Sequence, residues 1–313
     1  MTEPLLDVED LRVTFGANGS VSEVVGGVSF SVYPGEVLGL IGESGSGKTV
    51  TGLALLRLLP EQARADARRL RYRGRDLSGM RGRDFDALRG RELAMIFQDP
   101  VGAFNPVKTI RWHLAGTVAG AREDDLARML DEVGIRDPRR VLGCYPQQLS
   151  GGMLQRALIA MVFALRPALI IADEPTTNLD NIVEGQILAL IRTRQRELAT
   201  SLIFVTHDLT IAHAICDRVA VMYAGEIVEI GATADVIERP RHPYTIGLLN
   251  TARSLERRDE LLFEIVGEPG TRARGQACRF SPRCPRATPA CVASHPDLVP
   301  IFGGVAVRCP LHG

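Results

Sequence analysis

The sequence predicts an α/β fold: a mostly parallel sheet with helices between its strands, a small antiparallel β layer at the N-terminus, and a cysteine-rich extension at the C-terminus. Three observations predict it. Short, unbroken apolar runs at 37–41, 93–97, 169–172 and 202–206 are separated by long helical stretches, as expected of strands buried on both faces. Residues 6–32 alternate instead, with Val28, Phe30 and Val32 on one face and a turn supplied by Gly16 to Gly19, the pattern of half-buried antiparallel strands. Four of the six cysteines and nine of the 18 prolines fall in the last 74 residues, so a second compact unit is expected from about Pro240.

The bulk properties agree. At ~150 residues per domain, 313 residues suggest two domains, and 45% hydrophobic content supports a sizeable core and excludes a disordered or fibrous chain. The 37 basic and 37 acidic side chains cancel, so nothing global draws the protein to nucleic acid or an anionic membrane; no nucleic-acid partner is expected. The arginine-rich stretch 64–91 reads as a solvated surface. The acidic N-terminus lacks an apolar leader, and the most membrane-like stretch, 157–172, is short and interrupted by Arg166 and Pro167. A cytosolic chain without its own membrane span is expected. Between the third and fourth apolar runs, Val183, Ile187, Leu190, Ile191 and Leu198 recur on one helical face.

Chemistry concentrates in three segments. Gly42-Glu43-Ser44-Gly45-Ser46-Gly47-Lys48-Thr49 follows a predicted strand and precedes a helix expected to run to Leu59. In a phosphate-binding P-loop the glycines let successive N–H groups turn toward phosphate, Lys48 reaches the β- and γ-phosphates, and Thr49 binds Mg²⁺. A glycine-rich turn is the bland alternative. The strand 169–172 ends in Asp173 and Glu174, two carboxylates that are costly there unless used: Asp173 for Mg²⁺ through its water shell, Glu174 to polarise an attacking water. Capping is their alternative role. Ser150, Gly151 and Gly152 open an apolar helix and offer bare N–H groups and a hydroxyl to a second phosphate contact, or simply an N-cap.

With Leu-Ser-Gly-Gly-Met standing 20 residues before Asp173, the sequence resembles the ATP-binding cassette family over about residues 6–240. The resemblance implies a RecA-like P-loop NTPase core, ATP with Mg²⁺, and ATP hydrolysis. It implies that Phe15 stacks on adenine, that Gln98 meets Mg²⁺ and the attacking water, that Asn178-Leu179-Asp180 forms the D-loop, and that His207 grips the γ-phosphate. Ser150, Gly151 and Gly152 then contact the γ-phosphate held by the P-loop of an opposite subunit. Met153 and Asn178 depart from the usual family residues, and neither change removes a catalytic group. The implied domains are a nucleotide-binding domain, 1–240, with a helical subdomain at about 99–165, and a C-terminal extension, 241–313.

Finer features, Gln98-Asp99-Pro100, Asn105-Pro106, Met153, and His242-Pro243-Tyr244-Thr245, are similar to the ATPases of dipeptide and oligopeptide importers, whose relatives carry nickel, opines or other small solutes. This implies a peripheral subunit on the cytoplasmic face of the cell membrane, a homologous second ATPase, two transmembrane permeases and an extracytoplasmic peptide-binding protein. A soluble cassette protein of translation or repair is the rival from another class, disfavoured by one cassette and zero net charge. Cys278, Cys284, Cys291 and Cys309, spaced C-x5-C-x6-C-x17-C, can wrap one tetrahedral centre, and thiolates suit both zinc and iron–sulfur clusters. Spacing does not choose between them; the resemblance of the tail implies a 4Fe–4S cluster, structural or regulatory, with zinc or unligated thiols as the alternatives. Cys144 and Cys216 are expected to be free.

Overall fold

The computed structural model describes residues 3–17, 20–177, 179–257, 265–268 and 277–312. The chain forms two compact units, residues 1–80 with 203–313, and residues 81–202. The described C-terminal residues 277–312 fall in the same unit as the N-terminal strands.

In the first unit, β1 (Leu6–Ala17) and β2 (Ser20–Val32) pair antiparallel, and Val28, Phe30 and Val32 are buried as their alternation requires. β3 (Val37–Ile41) is buried throughout. The stretch read as solvated surface contains three strands, β4 (Ala63–Asp66), β5 (Arg69–Tyr72) and β6 (Arg75–Asp76), giving the order β2-β1-β5-β6 with β4 also on β1. In β5 the arginines face solvent while Leu70 and Tyr72 are buried, so a period of two was hidden beneath the charge.

The helix after the P-loop is Lys48–Leu55, shorter than the expected run to Leu59. Arg57 adopts φ 53°, and the N–H groups of Arg57 and Leu58 return to the carbonyls of Ala54 and Leu53 in a Schellman ending. Arginine takes the place usually filled by glycine; its guanidinium donates to the carbonyl oxygens of Met80 (2.8 Å) and Leu77.

In the second unit, β7 (Leu93–Ile96) and β8 (Leu169–Asp173) pair in parallel. Helices Ile110–Thr117, Glu123–Asp131 and Gly151–Ala164 lie between these strands in sequence. Of the apolar face predicted on helix Asn181–Leu198, Ile187 and Ile191 are fully buried, and Gln195 takes the next buried position, donating to the carbonyl of Thr200 at 2.8 Å.

The first unit also carries β9 (Ser201–Thr206) from Ile203 onward, β10 (Arg218–Tyr223), β11 (Glu226–Ala232), β12 (Val299–Pro300) and β13 (Ala306–Val307), in the order β12-β13-β11-β10-β3-β9. β10 runs parallel to β3, and β11 and β13 continue antiparallel, so the C-terminal residues add strands to the sheet edge. Among the described residues no helix is long and apolar enough to cross a membrane.

Candidate nucleotide site

The expected site residues divide between the units. Phe15, residues 42–49 and His207 belong to the first; Gln98, residues 150–152, Asp173, Glu174 and Asp180 belong to the second.

The loop after β3 requires glycine at Gly42, where φ is 154° and a Cβ would stand 2.2 Å from the carbonyl oxygen of Met222. Gly47 precedes the helix at φ 100°, and the N–H of Thr51 returns to its carbonyl at 2.9 Å. Lys48 is buried, its Nζ donating to the carbonyl oxygens of Gly42 (2.9 Å) and Glu43 (3.0 Å), so the ammonium spans its own loop. The Ser46 hydroxyl is buried with no protein hydrogen-bond partner, an orphaned donor of the kind a phosphate oxygen satisfies. Ser44 and Gly45 are exposed and Thr49 is half-buried on the first helical turn. Two further contacts hold this loop: the Glu43 N–H donates to the Tyr244 hydroxyl at 2.9 Å, and Arg283 makes paired bonds to the Glu43 carboxylate at 2.7 and 3.1 Å. Phe15 is half-buried in β1 opposite Ser22 and Ala63, and His207 is exposed immediately after β9.

In the second unit, Asp173 is buried at the end of β8. Glu174 takes φ 40°, a left-handed conformation uncommon for a residue with a Cβ. Its Oε2 accepts from Gln98 Nε2 at 3.3 Å and from Thr177 Oγ1 at 2.8 Å, so the glutamine after β7 and the carboxylate after β8 meet. The only sign of Thr177 in the sequence is a hydroxyl three residues beyond the glutamate. Ser150 caps helix Gly151–Ala164, its hydroxyl accepting from the Met153 N–H at 3.3 Å, and a Cβ on Gly152 would stand 2.9 Å from Val183. Asp180 caps helix Asn181–Leu198 through the N–H groups of Ile182 (3.1 Å) and Val183 (3.0 Å). Asn178 lies outside the described residues.

Cys278, Cys284, Cys291 and Cys309 form no disulfide, and Cys278, Cys291 and Cys309 are buried. Burial, reinforced by Cys291, Cys309 and Cys284, pushes the Cys278 thiol up to about 11, and burial likewise raises Cys284 and Cys309. The four thiols therefore lie within electrostatic reach of one another. Among the described residues, however, no three Cys, His, Asp or Glu side chains are drawn into a group that could hold a metal ion.

Comparison with known proteins identifies the family. The family described as "ABC transporter" matches residues 25–177, and "Oligopeptide/dipeptide transporter, C-terminal region" matches residues 228–291. The "Dipeptide transport ATP-binding protein DppD" of Haemophilus influenzae is 41% identical, with 97% of this chain and 94% of that protein covered. Its Escherichia coli namesake is 39% identical, with 97% and 96% covered. Among solved structures, a dimeric post-hydrolysis state of the ATP-binding cassette MJ0796 bound to ADP and phosphate superposes with a TM-score of 0.63 at 22% identity, over 73% of this chain and 98% of that one, which establishes the cassette fold. The chain belongs to the ABC transporter family, as an ATP-hydrolysing subunit of the kind that carries the oligopeptide/dipeptide transporter C-terminal region.

Proposed function

We propose that the chain energises import of dipeptides or oligopeptides across the cytoplasmic membrane, working peripherally on its cytoplasmic face beside two permeases, a homologous second ATPase and an extracytoplasmic peptide-binding protein. The match of residues 228–291 to the oligopeptide/dipeptide transporter C-terminal region carries this reading, joined by near-full-length similarity to proteins named for dipeptide transport.

In this reading the backbone of residues 42–47, with Lys48 and the unpartnered Ser46 hydroxyl, takes the triphosphate, and Phe15 stacks on the base. Thr49, Asp173 and Gln98 would hold Mg²⁺, which when bound neutralises charge between the β- and γ-phosphates. Glu174 accepts the proton of the attacking water while Gln98 and Thr177 orient its carboxylate. His207 contacts the γ-phosphate, and Ser150, Gly151, Gly152 and Asp180 serve the nucleotide of the facing cassette. One chain holds one P-loop and one signature segment, so completing a site takes a second cassette placed head to tail.

Cys278, Cys284, Cys291 and Cys309 would hold a 4Fe–4S cluster, with zinc as the alternative. The donor chemistry fits, since four free thiols lie within mutual electrostatic reach, and a bound centre would stabilise the thiolates that burial disfavours. The thiols still have to be drawn together for this, because no metal-holding group is gathered among the described residues.

Reconstitution with the permeases and the binding protein tests the solute. Dipeptide-loaded binding protein is expected to raise ATP turnover several-fold. Stimulation by a nickel-loaded or opine-loaded protein, with none by peptide, contradicts the peptide assignment.

A further inference from the structure

Glu43 puts a carboxylate inside a loop whose proposed ligand is a polyanion. Its position is fixed at three points: the N–H bonds to the Tyr244 hydroxyl, the carbonyl accepts from Lys48, and the side chain is held bidentately by Arg283. The Arg283 side chain is only 2% exposed, and its remaining donors reach the carbonyls of Val266 (3.0 Å) and Ile265 (3.3 Å). A guanidinium so enclosed has little rotamer freedom, and its planar fork matches the carboxylate.

The segment that presents Arg283 is itself locked. Between Cys278 and Cys284, tight turns run from the Ser281 N–H to the Cys278 carbonyl (3.0 Å) and from the Arg283 N–H to the Phe280 carbonyl (3.0 Å). Phe280 packs against Tyr223 and Tyr244 at ring separations of 5.0 and 5.4 Å. Arg279 bonds the carbonyl of Ala224 at 2.7 Å, next to Gly225, whose N–H in turn holds the Ser46 carbonyl at 2.9 Å. The same short segment therefore reaches the phosphate loop by two routes.

We propose that Arg283 is a positioning residue for nucleotide: through Glu43 it fixes the first turn of the loop and cancels a negative charge that would otherwise repel the triphosphate, making the cysteine-flanked segment part of the nucleotide site. The inference rests on the reading that residues 42–49 take the triphosphate.

The test is a double-mutant cycle on the full chain, reading the Kd of the fluorescent analogue TNP-ATP with Mg²⁺ and, in the assembled transporter, KM against kcat. Arg283→Ala is expected to raise Kd and KM about tenfold with kcat within about twofold. Glu43→Gln, which loses the fork but also the repelling charge, should raise Kd less than Arg283→Ala does, and the double variant should return close to Glu43→Gln, because without that charge Arg283 has nothing left to cancel. Arg283→Lys, which keeps the charge and loses the fork, should fall between, and with Glu43→Gln it completes the cycle if Arg283→Ala does not fold. A Kd for folded Arg283→Ala within twofold of the unmodified protein, or effects that simply add, overturns the proposal. Lys48→Ala separates the two readings: if it leaves TNP-ATP binding untouched, the nucleotide assignment of the loop has failed, whereas weakened binding there with no response at Arg283 defeats only this inference.

Discussion

Lys48 and His242 show how burial sets the behaviour of single side chains. The buried Lys48 ammonium bonds two carbonyls of its own loop, so a phosphate arriving there meets a donor already desolvated and aimed. Lys48→Ala should therefore weaken ATP binding at least tenfold while the melting profile stays cooperative, measured by nucleotide titration and circular dichroism. His242 is held neutral: burial first, then the charges of His312 and Arg308, lower its pKa to about 3, and its Nδ1 accepts the Tyr244 N–H at 3.1 Å. Because the folded value lies below the unfolded one of about 6.5, this group's contribution is present above pH 6.5 and is lost as pH falls toward 3. Urea unfolding should show stability dropping below pH 6.5 by up to about 1.4 kcal/mol per pH unit, and His242→Gln should remove that component. An unchanged slope in the variant would count against the burial argument.

At the scale of elements, the loop after β3 depends on a backbone that no side chain tolerates. Gly42→Ala would drive a Cβ into the Met222 carbonyl, and it should cost about 2 kcal/mol or more and abolish nucleotide binding, read by thermal melts and titration. The Ser150 cap is milder: Ser150→Ala should lower stability by about 1 kcal/mol. These glycine and cap positions were legible in the sequence because local geometry demands particular residue types. So were strands β3, β8 and β9, whose central apolar runs are buried on both faces and carry polar residues only at their ends. The strands β4 to β6 were not: in β5 exposed arginines mask the buried Leu70 and Tyr72, and β4 and β6 have no buried residue to mark them. The early end of the helix at Leu55 escaped for a related reason: Arg57 takes a left-handed conformation, secured by contacts 20 or more residues away. Gln98 was legible through the family pattern and Glu174 through its place at the end of a buried strand, yet their meeting, and the support from Thr177, emerged only from the fold.

For the whole molecule, the least legible feature is the attachment of the C-terminal segment to the phosphate loop. Arg283 and Glu43 are 240 residues apart, and no local pattern links a surface-type arginine to a particular glutamate. The same segment carries the cysteines. Purified anaerobically, the protein should contain about four irons per chain and absorb broadly near ~400 nm, and serine at any of the four positions should reduce the iron and expose the C-terminal residues to protease. Stoichiometric zinc without iron would reject the cluster while keeping the four-cysteine site. In the proposed mechanism Glu174 activates water in a site completed by a second cassette. Glu174→Gln measures it most directly, by ATP turnover, bound ATP and mass of the assembly with the partner ATPase. Turnover should fall below about a tenth of normal, with ATP retained and a two-cassette complex accumulating. Turnover above that level, or ATP held by a single cassette alone, would contradict the account.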